Sequence, residues 1–159
     1  MSLNDWVRAL QVLSAFALVA GIVLFWILVV VVRRIDLPEA TIRVEPVVKV
    51  GNVAVGIGGV GTIIFGVWLA ISLDAYEVWD GWVIAAIVLW AIAMATGQRA
   101  GVAYRAGMKR AEELQGAGQA GPSVELLAMN RTAYGLLMHA LTSIAVALVL
   151  LDMIWKPGA

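Results

Sequence analysis

Apolar residues come in four long blocks along this chain, not in alternation with polar ones. Asp, Glu, Lys and Arg are absent from Ala9 to Val32, from Val50 to Leu73, from Gly81 to Gln98 and from Thr132 to Leu151. Crossing a bilayer core takes roughly 20 apolar residues as a helix, with a range of about 17 to 25. In hydrocarbon every backbone N–H and C=O must find its partner within the segment, which selects helix. The pattern predicts an all-α, polytopic membrane protein. It reads as one domain over residues 1–159, a four-transmembrane-helix bundle with spans at about 9–32, 50–73, 81–98 and 132–151.

The segments between the blocks set the helix ends. The first helix is predicted over Leu3 to Val32. In DLPEATIRVEPVVK, Asp36 followed by Pro38 and Glu39 resembles a helix start, while Pro46 would kink that helix or begin a new one. The second helix therefore begins near residue 38 or near residue 46. The third should overshoot its span, because GQRAGVAYRAGMKRAEELQ lacks proline and is rich in Ala, Arg, Lys and Glu. Running from Asp80 to about Leu114, it would be roughly 52 Å long at 1.5 Å per residue. The bilayer core needs only about 30 Å. GAGQAGPS, residues 116–123, reads as a flexible break, and Ser123 as the N-cap of a fourth helix reaching about Trp155. Helices three and four should then form a cytoplasmic hairpin over about 99–131.

Charge placement supplies an orientation. Of 11 Lys and Arg, nine lie in the first and third loops: Arg33, Arg34, Arg43, Lys49, Arg99, Arg105, Lys109, Arg110 and Arg131. The second loop has none. The positive-inside rule makes the basic side cytoplasmic and leaves both termini outside. The first apolar run exceeds the roughly 7 to 15 residues of a signal-peptide core, and the basic pair Arg33–Arg34 follows it, so the helix should be retained. Trp6, Trp79, Trp82 and Trp155 flank spans on the outer side, with Trp68 slightly deeper, as in an interfacial belt. Asp5, Asp74, Glu77, Asp80 and Asp152 give that side an acidic surface. It could concentrate cations; equally, acids tolerate the side that Lys and Arg avoid.

Composition narrows the function classes. Hydrophobic residues make up 62% and charged residues 14%, against about 25% charged in soluble domains. The net charge of zero gives no case for nucleic acid. With no cysteine, disulfides, thiolate metal sites and a Cys nucleophile are excluded. No charged residue occupies a span, which weakens a proton pump or a carboxylate relay, although small-solute transport remains a third function class. No nucleophile–base–orienter set can be assembled, so enzymatic activity is not expected.

Two constellations carry candidate chemistry. VAVGIGGVGTIIFG places Gly56, Gly58 and Gly61 in the G-x-G-x-x-G spacing of a dinucleotide-binding turn, with Asp80 further on. The residues after Gly61 carry no charge, so the solvent-facing helix of a βαβ unit is missing, and no dinucleotide is expected. The positive reading is a helix-packing stripe, Ala54, Gly58, Thr62, Gly66 and Ala70, that lets backbones approach closely in lipid. Its partner is another helix of the bundle or a second subunit. His139 is the only histidine and lies at membrane depth. An ionisable group there is a functional candidate, able to ligate haem or copper, with Met138 and Met94 as soft neighbours. The alternative is a neutral His bonded within the bundle, to Thr142, Ser143 or another helix.

The stretches LQVLSAFALVAGIVLFW, DLPEATIRV, YRAGMKRAEEL and LLDMIWKPGA together make the whole chain resemble a family of bacterial four-helix integral membrane proteins of unknown function. That resemblance implies the four-helix fold and a bacterial cytoplasmic (inner) membrane, and no particular activity. A fainter likeness runs to CopD-type copper-resistance membrane proteins, which often carry His where this chain has Gln11. No ligand carries over. The expectation is a non-enzymatic membrane component acting through helix packing, as a homo-oligomer or with a membrane or cytoplasmic partner at the hairpin. Haem or copper binding at His139 is the alternative.

Overall fold

The computed structural model describes residues 2–72 and 80–155, and every regular element among them is an α-helix. The order is α1 (Leu3–Val32), α2 (Pro38–Ile42), α3 (Glu45–Ser72), α4 (Gly81–Gly116), α5 (Val124–Asn130) and α6 (Ala133–Trp155). Trp79, Asp74, Glu77, Leu73 and Lys156 lie outside the described residues.

Local chemistry fixes most helix ends. Ser2 and Asp5 form a capping box on α1: Ser2 N donates to Asp5 Oδ2 at 2.8 Å, and Asp5 N donates to Ser2 Oγ at 3.3 Å. Both prolines of the first loop begin helices. Pro38 opens α2, and Pro46 sits in the first turn of α3, where a missing N–H costs nothing. The two candidate starts are thus two successive helices. α4 closes in a Schellman turn. Gly118 N donates to Gln115 O and Gln119 N to Leu114 O, both at 3.0 Å, with Gly118 at φ +78°. Ser123 caps α5, its Oγ accepting from Leu126 N at 3.2 Å.

The fourth apolar segment departs from the expected unbroken helix. α5 ends at Asn130 and α6 begins at Ala133. Thr132 Oγ1 accepts from Gly135 N at 3.3 Å and so serves the new helix start. Asn130 and Arg131 meanwhile bond to the loop after α1. Tertiary bonds thereby stabilise a break between two weak helix formers, Asn130 and Thr132.

α1 packs along α3, and α4 along α6. Leu18 and Ile22 of α1 meet Ala93 of α4 and Ala145 and Val146 of α6, which joins the pairs in one core. Beyond the long helices, Ala111 and Leu114 of α4 enclose Leu126 of α5, with Ile42 of α2 against them. One end of the bundle therefore carries α2, α5 and the extended part of α4; it is called the basic end below. The other is the terminal end.

The outer faces are apolar. Within the apolar window of each of the four long segments, only 22% to 28% of residues are buried. Phe16, Ile57, Val88 and Ile144 are among the large side chains more than half exposed. Monomeric soluble proteins rarely expose apolar patches of that extent. All four helical segments are long and apolar enough to cross a membrane.

Candidate functional site

The small-residue stripe of α3 meets α1 at backbone contact. A Cβ on Gly58 would strike the backbone of Leu18 and Ser14 O. From the other side, a Cβ on Gly21 would lie 2.6 Å from Val55 Cγ2 and 3.3 Å from Ala54 Cβ. Thr62 is 1% exposed on the same face. Towards the terminal end the stripe changes partner. Gly66 faces Met153 of α6 and Gln11 of α1, and Ala70 packs with Trp82 and Val83 of α4. All five stripe residues thus face helices of their own chain.

The three glycines of the dinucleotide-like spacing do not act together. Gly58 faces Leu18, and Gly61 faces the Ser14 side chain, while Gly56 is exposed with open space around it. They lie within one continuous helix, so their N–H groups are engaged in the helix ladder and form no phosphate cradle.

His139 lies inside the bundle at 6% exposure. Its ring packs against Trp26, centroids 4.8 Å apart and tilted by 57°, and edge-on to Phe25 at 6.3 Å. Its Nε2 is buried with no hydrogen-bond partner among the described residues. Ser143 Oγ donates to the His139 carbonyl at 2.9 Å and accepts from Trp26 Nε1 at 2.9 Å. This links α1 to α6 through the His139 backbone. Thr142 turns elsewhere, pairing with Thr96 of α4 at 2.8 Å. No group of three or more His, Asp and Glu able to hold a metal occurs among the described residues.

The described tryptophans divide into two sets. Trp6, Trp68 and Trp155 are exposed by half or more. Trp82 is turned inward at 7% exposure, against Ala70 and Val83, which differs from the belt position expected for it. Trp26 and Trp90 stand outside the expected belt and tie helices together. Trp90 Nε1 donates to the Gly59 carbonyl of α3 at 3.2 Å. Beside Trp82, a crevice of about 240 Å³ opens between the long helices, with Arg8, Gln11, Gly66 and Met153 on its walls.

The basic end is a polar knot. Asn130, 2% exposed, donates from Nδ2 to Ile35 O at 3.0 Å and to Thr41 Oγ1 at 3.3 Å. Arg33 Nη1 donates to Arg131 O at 3.0 Å, and Arg131 Nε returns a bond to Arg33 O at 3.1 Å. Ser123 N donates to Asp36 O at 2.9 Å. Arg110 grips Glu125 through Nε at 3.1 Å and Nη2 at 2.9 Å, and reaches Glu113 at 3.0 Å. Those carboxylates raise the Arg110 pKa, Glu125 foremost. Gly107 makes room for this knot: a Cβ there would sit 2.8 Å from Asn130 Oδ1. The sequence pattern does not single out Asn130; its one signal is a polar residue late in an apolar-leaning helix.

No protein-family model, curated protein or solved structure matches this chain.

Proposed function

We propose that this chain is a four-pass integral protein of a bacterial inner membrane, with its basic end in the cytoplasm and both termini outside. It works without enzymatic chemistry, as a packed helical component that assembles with a partner at the basic end. The observation that carries this reading is the apolar outward surface of all four long segments, which bury less than a third of their apolar windows. Lipid is the medium that such a surface fits. The assembly half of the proposal is supported by α4, which continues past Arg99 to Gly116 and braces α5 beside it. Val124, at the start of α5, is 85% exposed and leaves an apolar contact point at the tip.

Purification in mild detergent, with mass measurement and crosslinking from Lys109, tests the assembly. A mass above that of one chain, or a crosslinked partner, is the expected result. A strictly monomeric chain with no crosslinked partner overturns it.

One observation supports a second reading, haem or copper held by His139: its Nε2 is buried without a hydrogen-bond partner. An absorption spectrum and metal analysis of the purified protein decide it. A colourless, metal-free protein, unchanged by His139→Ala, ends that reading.

A further inference from the structure

The basic residues of the basic end fall into two groups. Arg33 and Arg131 bond each other's backbone, while Arg43, Lys49 and Arg110 pair with Glu39, Glu45 and Glu113 with Glu125. Arg99, Arg105 and Lys109 make no ion pair or hydrogen bond among the described residues. These three lie on α4; Arg34, whose side chain likewise has no partner among the described residues, lies in the loop after α1. The spacing of Gln98, Val102, Arg105 and Lys109, three and four residues apart, puts them on one face, with Arg99 at its edge.

That face continues as an apolar lane. Ile84, Val88, Ala91 and Ala95 follow the same spacing towards the terminal end, and all are exposed. Arg99 is the first charged residue after the charge-free run of α4. At the same level α6 presents Tyr134, which is 53% exposed and three residues beyond Arg131. Between the two helices lies a groove of about 450 Å³, lined by Ala95, Gln98, Arg99, Val102, Ala103 and Tyr134.

We infer that this α4–α6 groove is a binding site for an anionic phospholipid of the leaflet at the basic end. The inference rests on the membrane-spanning reading above. Arg99 meets the headgroup phosphate, where a guanidinium can donate two parallel bonds. The Gln98 amide and the Tyr134 hydroxyl supply neutral donors at the same depth. An acyl chain lies along Ala95, Ala91, Val88 and Ile84. Arg105 and Lys109 add unneutralised positive charge further out. That charge selects an anionic headgroup over a zwitterionic one, since each interfacial cation contributes about five-fold in lipid affinity. Paired cations such as Arg43 contribute little, because Glu39 already satisfies them.

The test uses the full chain, purified and delipidated in mild detergent. Native mass spectrometry then compares retention of phosphatidylglycerol and phosphatidylcholine with identical acyl chains. The wild type should retain phosphatidylglycerol preferentially. Arg99→Gln should lower that preference about five-fold, Tyr134→Phe should lower it less, and Arg43→Gln should leave it unchanged. Equal retention of the two lipids, or equal losses in Arg99→Gln and Arg43→Gln, overturns the site. Alkaline extraction of membranes separates this from the parent reading. A chain that stays in the membrane pellet but shows no lipid preference refutes only the groove. A chain released into the supernatant refutes the membrane reading and the groove with it.

Discussion

The interface between α1 and α3 and the knot at the basic end hold helices together by opposite means. Between α1 and α3, side chains are nearly removed: Gly58 lies on the Leu18 backbone and Gly21 against Val55 and Ala54. Cohesion there comes from van der Waals contact at short range, the means by which helices associate in an apolar medium. At the basic end, Asn130, Arg33, Arg131 and Arg110 supply directed bonds between segments distant in sequence. Such bonds are strongest where they are shielded from solvent, and Asn130 at 2% exposure is the buried one. The first interface has no tolerance for added volume. The second has no tolerance for a lost donor.

The sharpest way to break this comparison is to add one methyl group. Gly58→Ala should cost about 3 kcal/mol, because the obstacle is the Leu18 backbone and no side chain can swing away. Gly56→Ala, in open space two residues earlier, should be neutral or stabilising by about 0.5 kcal/mol through helix propensity. Denaturant unfolding of both variants in detergent measures the difference. Equal stability would show that backbone contact is not what holds α1 to α3.

Next in size is a deleted donor at the basic end. Asn130→Ala leaves the Ile35 carbonyl without this donor and should cost about 2 kcal/mol. Amide exchange should rise around residues 33–42 and spare the α1–α3 contact. Exchange rising evenly over the chain would deny that the knot is a separate unit. A smaller effect is expected inside the α4–α6 pair. Thr96→Val removes the bond to Thr142 and should cost about 0.6 kcal/mol, since each Thr also bonds its own helix carbonyl. A loss above about 2 kcal/mol would place a buried polar network where the account has simple packing.

The smallest effect concerns the α1 cap. Hydrogen bonds from Ser2 hold the Asp5 carboxyl below its ordinary 3.8. A depressed folded-state value means that the cap contributes fully above pH 3.8 and is lost as pH falls through the lower folded value. Amide protection in the first turn of α1 should therefore fall only in that acid range, and Asp5→Ala, which removes the titrating carboxyl, should abolish the step. Protection that stays unchanged through that range in the parent chain would contradict the capping box.

Much of the architecture is legible in one-dimensional pattern. Charge-free runs mark the four long segments because a backbone in an apolar medium has few options besides helix. Ser123 reads as a cap because its hydroxyl is a local acceptor, and the overshoot of α4 follows from helix formers without proline. The break at residues 131–132 is not legible. Asn130 and Thr132 are weak helix formers that suit a cap, yet single residues of that kind are carried through many helices, and the bonds that favour the break here come from Ile35 and Thr41. The ambiguity at Pro38 and Pro46 is local instead, since either proline suits a first turn and both are used so.

For the candidate site, the four-residue stripe shows on paper that α3 has a small face, but not which helix covers it. The partner seam on α1 left a fainter trace, Ser14 and Gly21 seven residues apart. The orientation of Trp82 left none, because an indole near a span end suits either the interface or the core. His139 was conspicuous as the only histidine, yet its neighbours Phe25 and Trp26 come from a helix more than 100 residues away.

The central claim is that the chain crosses a membrane four times, with the basic end on one side and both termini on the other. The natural absence of cysteine makes single-cysteine accessibility the most direct test. With a membrane-impermeant maleimide on spheroplasts, Ser2→Cys should label at once, and Gln119→Cys only after lysis. Labelling of both positions from the same side would contradict the account.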